Sequence, residues 1–211
     1  MRGGFHPASP EFIYSIIVII LCFLIYFKTK VMYKLSKYKG IQYFRYTFFF
    51  FGLAYLTRFL FHLLKLGFFV VRNQRALRIY SPLTITLVGY FSTMAIFYLL
   101  YSQVWKKFKF ESFIIFSNLL AAIIAIISFS TKSPIIISLV QLPIIIAIIY
   151  FAIKKKSPSK TLYILTSLFW FINLFLLSPG KFIPKNTNIF FHILSIIVFG
   201  IIYHKVSKWT K

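Results

Sequence analysis

Residues 43–66 read YFRYTFFFFGLAYLTRFLFHLLKL. As an α-helix rising about 1.5 Å per residue they would extend roughly 36 Å, enough to cross a hydrocarbon core of about 30 Å. The run nonetheless carries Arg58 and His62 in its interior. These two lie four residues apart, so a helix places them on one face, and Lys65 continues that face. An ionisable side chain at membrane depth is costly and usually faces a bundle interior or a water-filled cavity. The stretch therefore predicts a membrane-spanning helix within a bundle, and it asks what the other helices offer to Arg58 and His62.

The rest of the chain answers in kind. Its 211 residues are 60% hydrophobic and only 13% charged, with 28 phenylalanines, more apolar surface than a soluble domain of this size can bury. The apolar runs are continuous rather than alternating, which excludes a transmembrane β-barrel. Seven spans are expected: Phe12–Phe27, Tyr43–Leu66, Tyr80–Tyr101 opened by Pro82, Ser112–Phe129, Pro134–Ile153 with Pro143 inside it, Thr161–Leu177 ended by Ser178-Pro179-Gly180, and Asn188–Tyr203. The fold class is thus all-α, a single seven-helix transmembrane domain over residues 1–211 of a multi-pass cell-membrane protein. The segment 1–11, with Gly3, Gly4, Pro7 and Pro10, is expected to be flexible. No small-residue cleavage site follows the first run, which reads as a retained helix rather than a signal peptide. The single cysteine, Cys22, lies inside that run and has no intramolecular disulfide partner.

Lysine and arginine set the expected orientation. The side holding the first, third and fifth connections and the C-terminus carries 16 of them, and the other side carries 8. This bias puts the N-terminus outside and the C-terminus in the cytoplasm. The net charge of +23 lies mostly between the apolar runs. That placement points to anionic lipid headgroups at the cytoplasmic face as partners, and not to nucleic acid. In the basic connection 28–42, Val31, Leu35 and Tyr38 recur at helical spacing between lysines. This suits a short amphipathic helix on the leaflet ended by Gly40, with an irregular basic loop as the alternative. Trp105, Trp209, Tyr101 and Tyr203 are expected at the cytoplasmic interface and Tyr80 at the outer one, while Trp170 in mid-span serves packing.

With this topology, polar side chains from different helices fall at one depth. Arg58, His62, Gln141, Asn173 and His192 all lie in the outer halves of their helices, with Thr84 and Thr86, whereas Asn118 lies in an inner half. Glu11 sits at the outer end of the first span and is the ion-pair partner available to Arg58. Arg75 and Arg78 would line the mouth. Convergence of these faces would form a positive outer pocket for a small carboxylate, phosphate or lipid headgroup, since a guanidinium fork matches planar anions. The competing reading is structural: Arg58 snorkels or is locked to Glu11 or a carbonyl, and Asn and Gln act as interhelical glue.

Other chemistries are absent. There is no glycine-rich phosphate loop, and the two acids, Glu11 and Glu111, exclude paired-carboxylate catalysis. His62 and His192 alone do not make a zinc site. No enzyme activity, metal or cofactor is expected. Seven helices with an outside N-terminus resemble rhodopsins, but the last span, IFFHILSIIVFGIIYHK, has no mid-membrane lysine to hold retinal. The topology is also similar to small sugar transporters built as three plus one plus three helices. Their matching prolines would need one in the first span, and only Pro143 in the fifth is present. The leading expectation is a sensor or receptor-like module that binds a small anionic or lipid-derived ligand and acts through a partner membrane or cytoplasmic protein. The alternatives are a small transporter or channel subunit using the same pocket, and a structural subunit of a membrane complex.

Overall fold

The computed structural model describes residues 10–70, 74–131, 133, 135–154, 159–176 and 187–208, with side chains described for these apart from 66–79. Seven helices are found among them: α1 (Pro10–Ser36), α2 (Lys39–Val70), α3 (Gln74–Val104), α4 (Phe110–Thr131), α5 (Ile135–Lys154), α6 (Lys160–Leu176) and α7 (Asn188–Lys208). Six are long and apolar enough to cross a membrane. The seventh, α6, is an apolar helix described over 17 residues, roughly 26 Å at helical rise, the lower end of the range that crosses a bilayer. The protein is a multi-pass, all-helical membrane protein.

The helices run past the apolar stretches that mark them. Pro10 and Glu11 belong to the first turn of α1 rather than to a flexible leader. Proline at the first helical position surrenders an N–H that has no intrahelical acceptor anyway, and an acid there complements the helix dipole. The basic connection is also helical, but as a continuation of α1 to Ser36 and not as a separate helix ended by Gly40. The chain turns at Lys37, which adopts φ 51°. Its N–H donates to the Tyr33 carbonyl at 2.8 Å, the bond of a left-handed helix cap. Gly40 instead lies in the first turn of α2, where a Cβ would stand 3.0 Å from the carbonyl oxygen of Ser102. It permits close approach of α2 to α3. Pro82 lies inside α3 and does not open it. The Ser178-Pro179-Gly180 turn and Trp209 lie outside the described residues.

Helix neighbours define the architecture. α1 packs on α2, α2 on α3, α3 on α5, α5 on α6, α6 on α7, and α7 back on α1, closing a ring of six. α4 sits outside the ring against α3 and α5. Accordingly α4 turns Ile115, Phe116, Leu119, Ile123 and Ile126 outward, a face suited to lipid. Aromatic rings fill the ring's interior: Phe51 of α2 lies 4.6 Å from Trp170 and 5.1 Å from Phe169 of α6, and Phe169 lies 4.4 Å from Phe199 of α7 (centroid to centroid). Such contacts combine large apolar area with favourable edge and offset geometry.

Interhelical hydrogen bonds fix the packing further. Tyr90 donates to Asn118 Oδ1 (2.6 Å) between α3 and α4, and Gln103 Nε2 donates to the Ile148 carbonyl (3.2 Å) between α3 and α5. Tyr101 is buried between Tyr43 and Phe113, and its hydroxyl donates to the Phe108 carbonyl of the lysine-rich connection. At the lysine-rich end of the bundle, cations lie over rings. The Arg45 guanidinium is 5.1 Å from both Tyr26 and Tyr46, and the Lys106 ammonium is 5.6 Å from Trp105.

Candidate functional site

A group of polar side chains gathers at the opposite end of the bundle, where α1 begins. Their centre is Asn173 of α6. Its Nδ2 donates to the Phe169 carbonyl one turn back (2.7 Å), which fixes the amide and aims Oδ1 into the ring. Tyr14 of α1 donates to that oxygen at 2.6 Å, and Tyr55 of α2 donates to it as well. The Tyr14 hydroxyl also meets Ser195 Oγ of α7 at 2.7 Å and the Tyr55 hydroxyl at 3.2 Å. Asn173 Nδ2 reaches Ser195 Oγ at 3.1 Å. All four residues are buried. One polar knot thus ties α1, α2, α6 and α7, and every member is satisfied, as a buried network must be to avoid the cost of an unpaired polar group.

A second knot lies across the ring. Gln141 of α5, fully buried, donates from Nε2 to Ser92 Oγ (2.8 Å) and Thr93 Oγ1 (3.2 Å) of α3. It accepts at Oε1 from the Trp170 indole N–H of α6 (2.9 Å). Trp170 therefore donates a structural hydrogen bond besides packing.

Arg58 stands between these knots and the surface. Its guanidinium carbon lies 5.4 Å from the centroid of the Tyr55 ring, a cation–π distance. On one side it lines an open cavity of about 200 Å³ with Glu11, Phe61, His62, Ser81, Thr84 and Val88. On the other it lines an enclosed space of about 20 Å³ with Tyr55, Ser92, Gln141, Trp170 and Asn173. That space has room for about one water. Glu11 Oε2 lies 3.8 Å from His62 Nε2, a contact that is an ion pair only when the imidazole is protonated, and among the described residues Glu11 makes no ion pair with Arg58. His192, also buried, packs edge-on against Tyr14 with centroids 4.4 Å apart.

The polar residues singled out in the sequence therefore sit at one end of the bundle but do not share one chamber. Arg58, His62 and Glu11 line the open cavity, Arg58, Gln141 and Asn173 the enclosed space, and His192 lines neither but packs on Tyr14 of the Asn173 knot. Thr84 joins the open cavity. The side chains of Arg75 and Arg78 lie outside those described.

Along 95% of its length the chain aligns with a protein of Archaeoglobus fulgidus described as an uncharacterized protein. The two are 32% identical over 211 residues, and the alignment covers 92% of that relative. This chain belongs to the same family. No family model matches the chain, and no solved structure does.

Five members of the two knots escaped the sequence reading: Tyr14, Tyr55, Ser195, Ser92 and Thr93. A signal for the first three was present, because each lies three residues from a polar residue that was singled out: Glu11, Arg58 and His192. That spacing puts each on the same helical face as its neighbour.

Proposed function

We propose that this membrane protein is a non-enzymatic sensor or receptor-like module. It binds a small ligand bearing a carboxylate or phosphate in the cavity at Arg58 and transmits occupancy through helix packing to a partner protein. The observation that carries this reading is the seat of Arg58 on Tyr55. An anion in the cavity competes with the Tyr55 ring for the guanidinium, because a charge-assisted fork is stronger than a cation–π contact. Tyr55 is a member of the knot that ties four helices. Ligand binding then favours one arrangement of that knot over another, which is the differential affinity a conformational response requires.

A transporter is the second reading, and one feature favours it. The enclosed space behind Arg58 continues the open cavity inward, and Pro143 in α5 lies two residues from Gln141, where a proline leaves a backbone carbonyl free to bend or bind. Phe51, however, lines that space and packs on Phe169 and Phe199 in the buried interior of the ring. This supports sensing over passage.

Intrinsic fluorescence tests the proposal. In a Trp105→Phe, Trp209→Phe background the remaining reporter is Trp170, which touches the enclosed space. In nanodiscs, propionate and alanine are each expected to change its emission saturably, and Arg58→Gln to abolish the change. Emission unmoved by a panel of small carboxylates, amino acids and inorganic phosphate would contradict the reading. Uptake of labelled alanine into proteoliposomes above that of empty vesicles would favour transport.

A further inference from the structure

Among the described residues that line it, the open cavity presents two opposite charges that do not neutralise each other. Arg58 and Glu11 both line it, yet they lie beyond ion-pair distance. A guanidinium and a carboxylate free to meet in a flexible, partly hydrated space would normally do so, since at about 4 Å their attraction is several kcal/mol at an effective dielectric near 20. Here each is held apart. Arg58 is anchored on the Tyr55 ring, and Glu11 stands in the first turn of α1 beside His62. The 3.8 Å separation from His62 is longer than a hydrogen bond, so the Glu11 carboxylate keeps its acceptor positions for another donor. The cavity volume of about 200 Å³ suits a molecule of a few heavy atoms. Ser81 and Thr84 add hydroxyls to the same wall.

From this arrangement we infer that the ligand is a zwitterion, its anionic group on Arg58 and its ammonium on Glu11. This rests on the cavity's being a ligand site, as proposed above, and adds the second pole. A plain anion would leave Glu11 repelling it from across the cavity, and a plain cation would be repelled by Arg58. Only a molecule carrying both charges satisfies both walls. The chemistry has two sources, a free amino acid and the headgroup of an aminophospholipid.

The test uses full-length protein and reads the thermal unfolding midpoint. In detergent, alanine is expected to raise the midpoint at concentrations about tenfold below those of propionate, the factor one hydrogen-bonded charge contributes. Ethylamine is expected to leave it unchanged. Glu11→Gln, which keeps the shape of an exposed side chain, should bring alanine and propionate to equal potency. Arg58→Gln should remove both responses, and Arg58→Lys should restore part of them. In vesicles, a higher midpoint in phosphatidylethanolamine than in phosphatidylglycerol that Glu11→Gln removes would assign the headgroup as occupant. A response to alanine that is independent of the lipid would assign a free amino acid. Equal potency of alanine and propionate on the wild type overturns the zwitterion and leaves the anion site standing. No response to alanine, propionate or phosphatidylethanolamine overturns both.

Discussion

Tyr55 has two partners of different kinds. Its ring carries Arg58, and its hydroxyl enters the Asn173 knot. Removing the Tyr55 hydroxyl takes one member from a network that keeps its others, whereas removing the Asn173 amide takes away the acceptor that two tyrosine hydroxyls share and leaves them only each other and Ser195. Interhelical hydrogen bonds in membranes average under about 1 kcal/mol, but a buried polar group left unpaired costs about 1–3 kcal/mol. Tyr55→Phe should therefore destabilise by about 1 kcal/mol and Asn173→Leu by about 2–3 kcal/mol, measured by unfolding in mixed micelles. Equal losses would mean that the knot is not centred on Asn173. The amides Asn173 and Gln141 stood out in the sequence because amides are rare in apolar runs. Tyr14 and Tyr55 did not, because tyrosine is equally at home in an interfacial belt or a core, and only the partner across the ring decides which. The Glu11–His62 pair was equally hidden, since it depends on how α1 and α2 are rotated against each other.

At the scale of elements, hydropathy and length revealed the helices but not their ends. α1 and α2 continue beyond their apolar runs, α1 through its lysines to Ser36, since a lysine stem can lie along a helix while its ammonium reaches outward. The turn between them depends on Lys37 in the left-handed region, which no glycine announces. Two glycines make the contrast testable. Gly40 has the Ser102 backbone carbonyl 3.0 Å from where a Cβ would stand, whereas Gly200 has nothing within 4 Å. Gly40→Val should cost about 1–3 kcal/mol through overpacking, and Gly200→Ala should gain up to about 1 kcal/mol from helix propensity. Thermal midpoints in detergent moving in opposite directions are the expected outcome. A neutral Gly40→Val would place the α2–α3 approach elsewhere.

For the whole molecule, the sequence revealed seven helices and the common depth of their polar residues, because both follow from counting along the chain. The ring order did not, since it puts α3 beside α5 and leaves α4 outside, a pairing of faces that hydrophobicity alone leaves open. Cys22 reports on that ring from within: it is 1% exposed, in the core with Ile25, Phe48 and Phe51. A lipid-permeant maleimide should fail to label it in the folded protein and label it fully after denaturation in dodecyl sulfate. Rapid labelling in mild detergent would place α1 with a different face inward.

The central claim is that Arg58 holds a ligand in the open cavity rather than merely serving the bundle. The most direct measurement is the unfolding midpoint of wild type and Arg58→Gln during a titration with alanine. At a hundredfold excess over its dissociation constant, a ligand confined to the folded state adds about 2.7 kcal/mol. The account predicts a midpoint that climbs with alanine in the wild type and stays flat in Arg58→Gln. Curves that climb together, or a wild-type midpoint that neither alanine, propionate nor phosphatidylethanolamine moves, would contradict it.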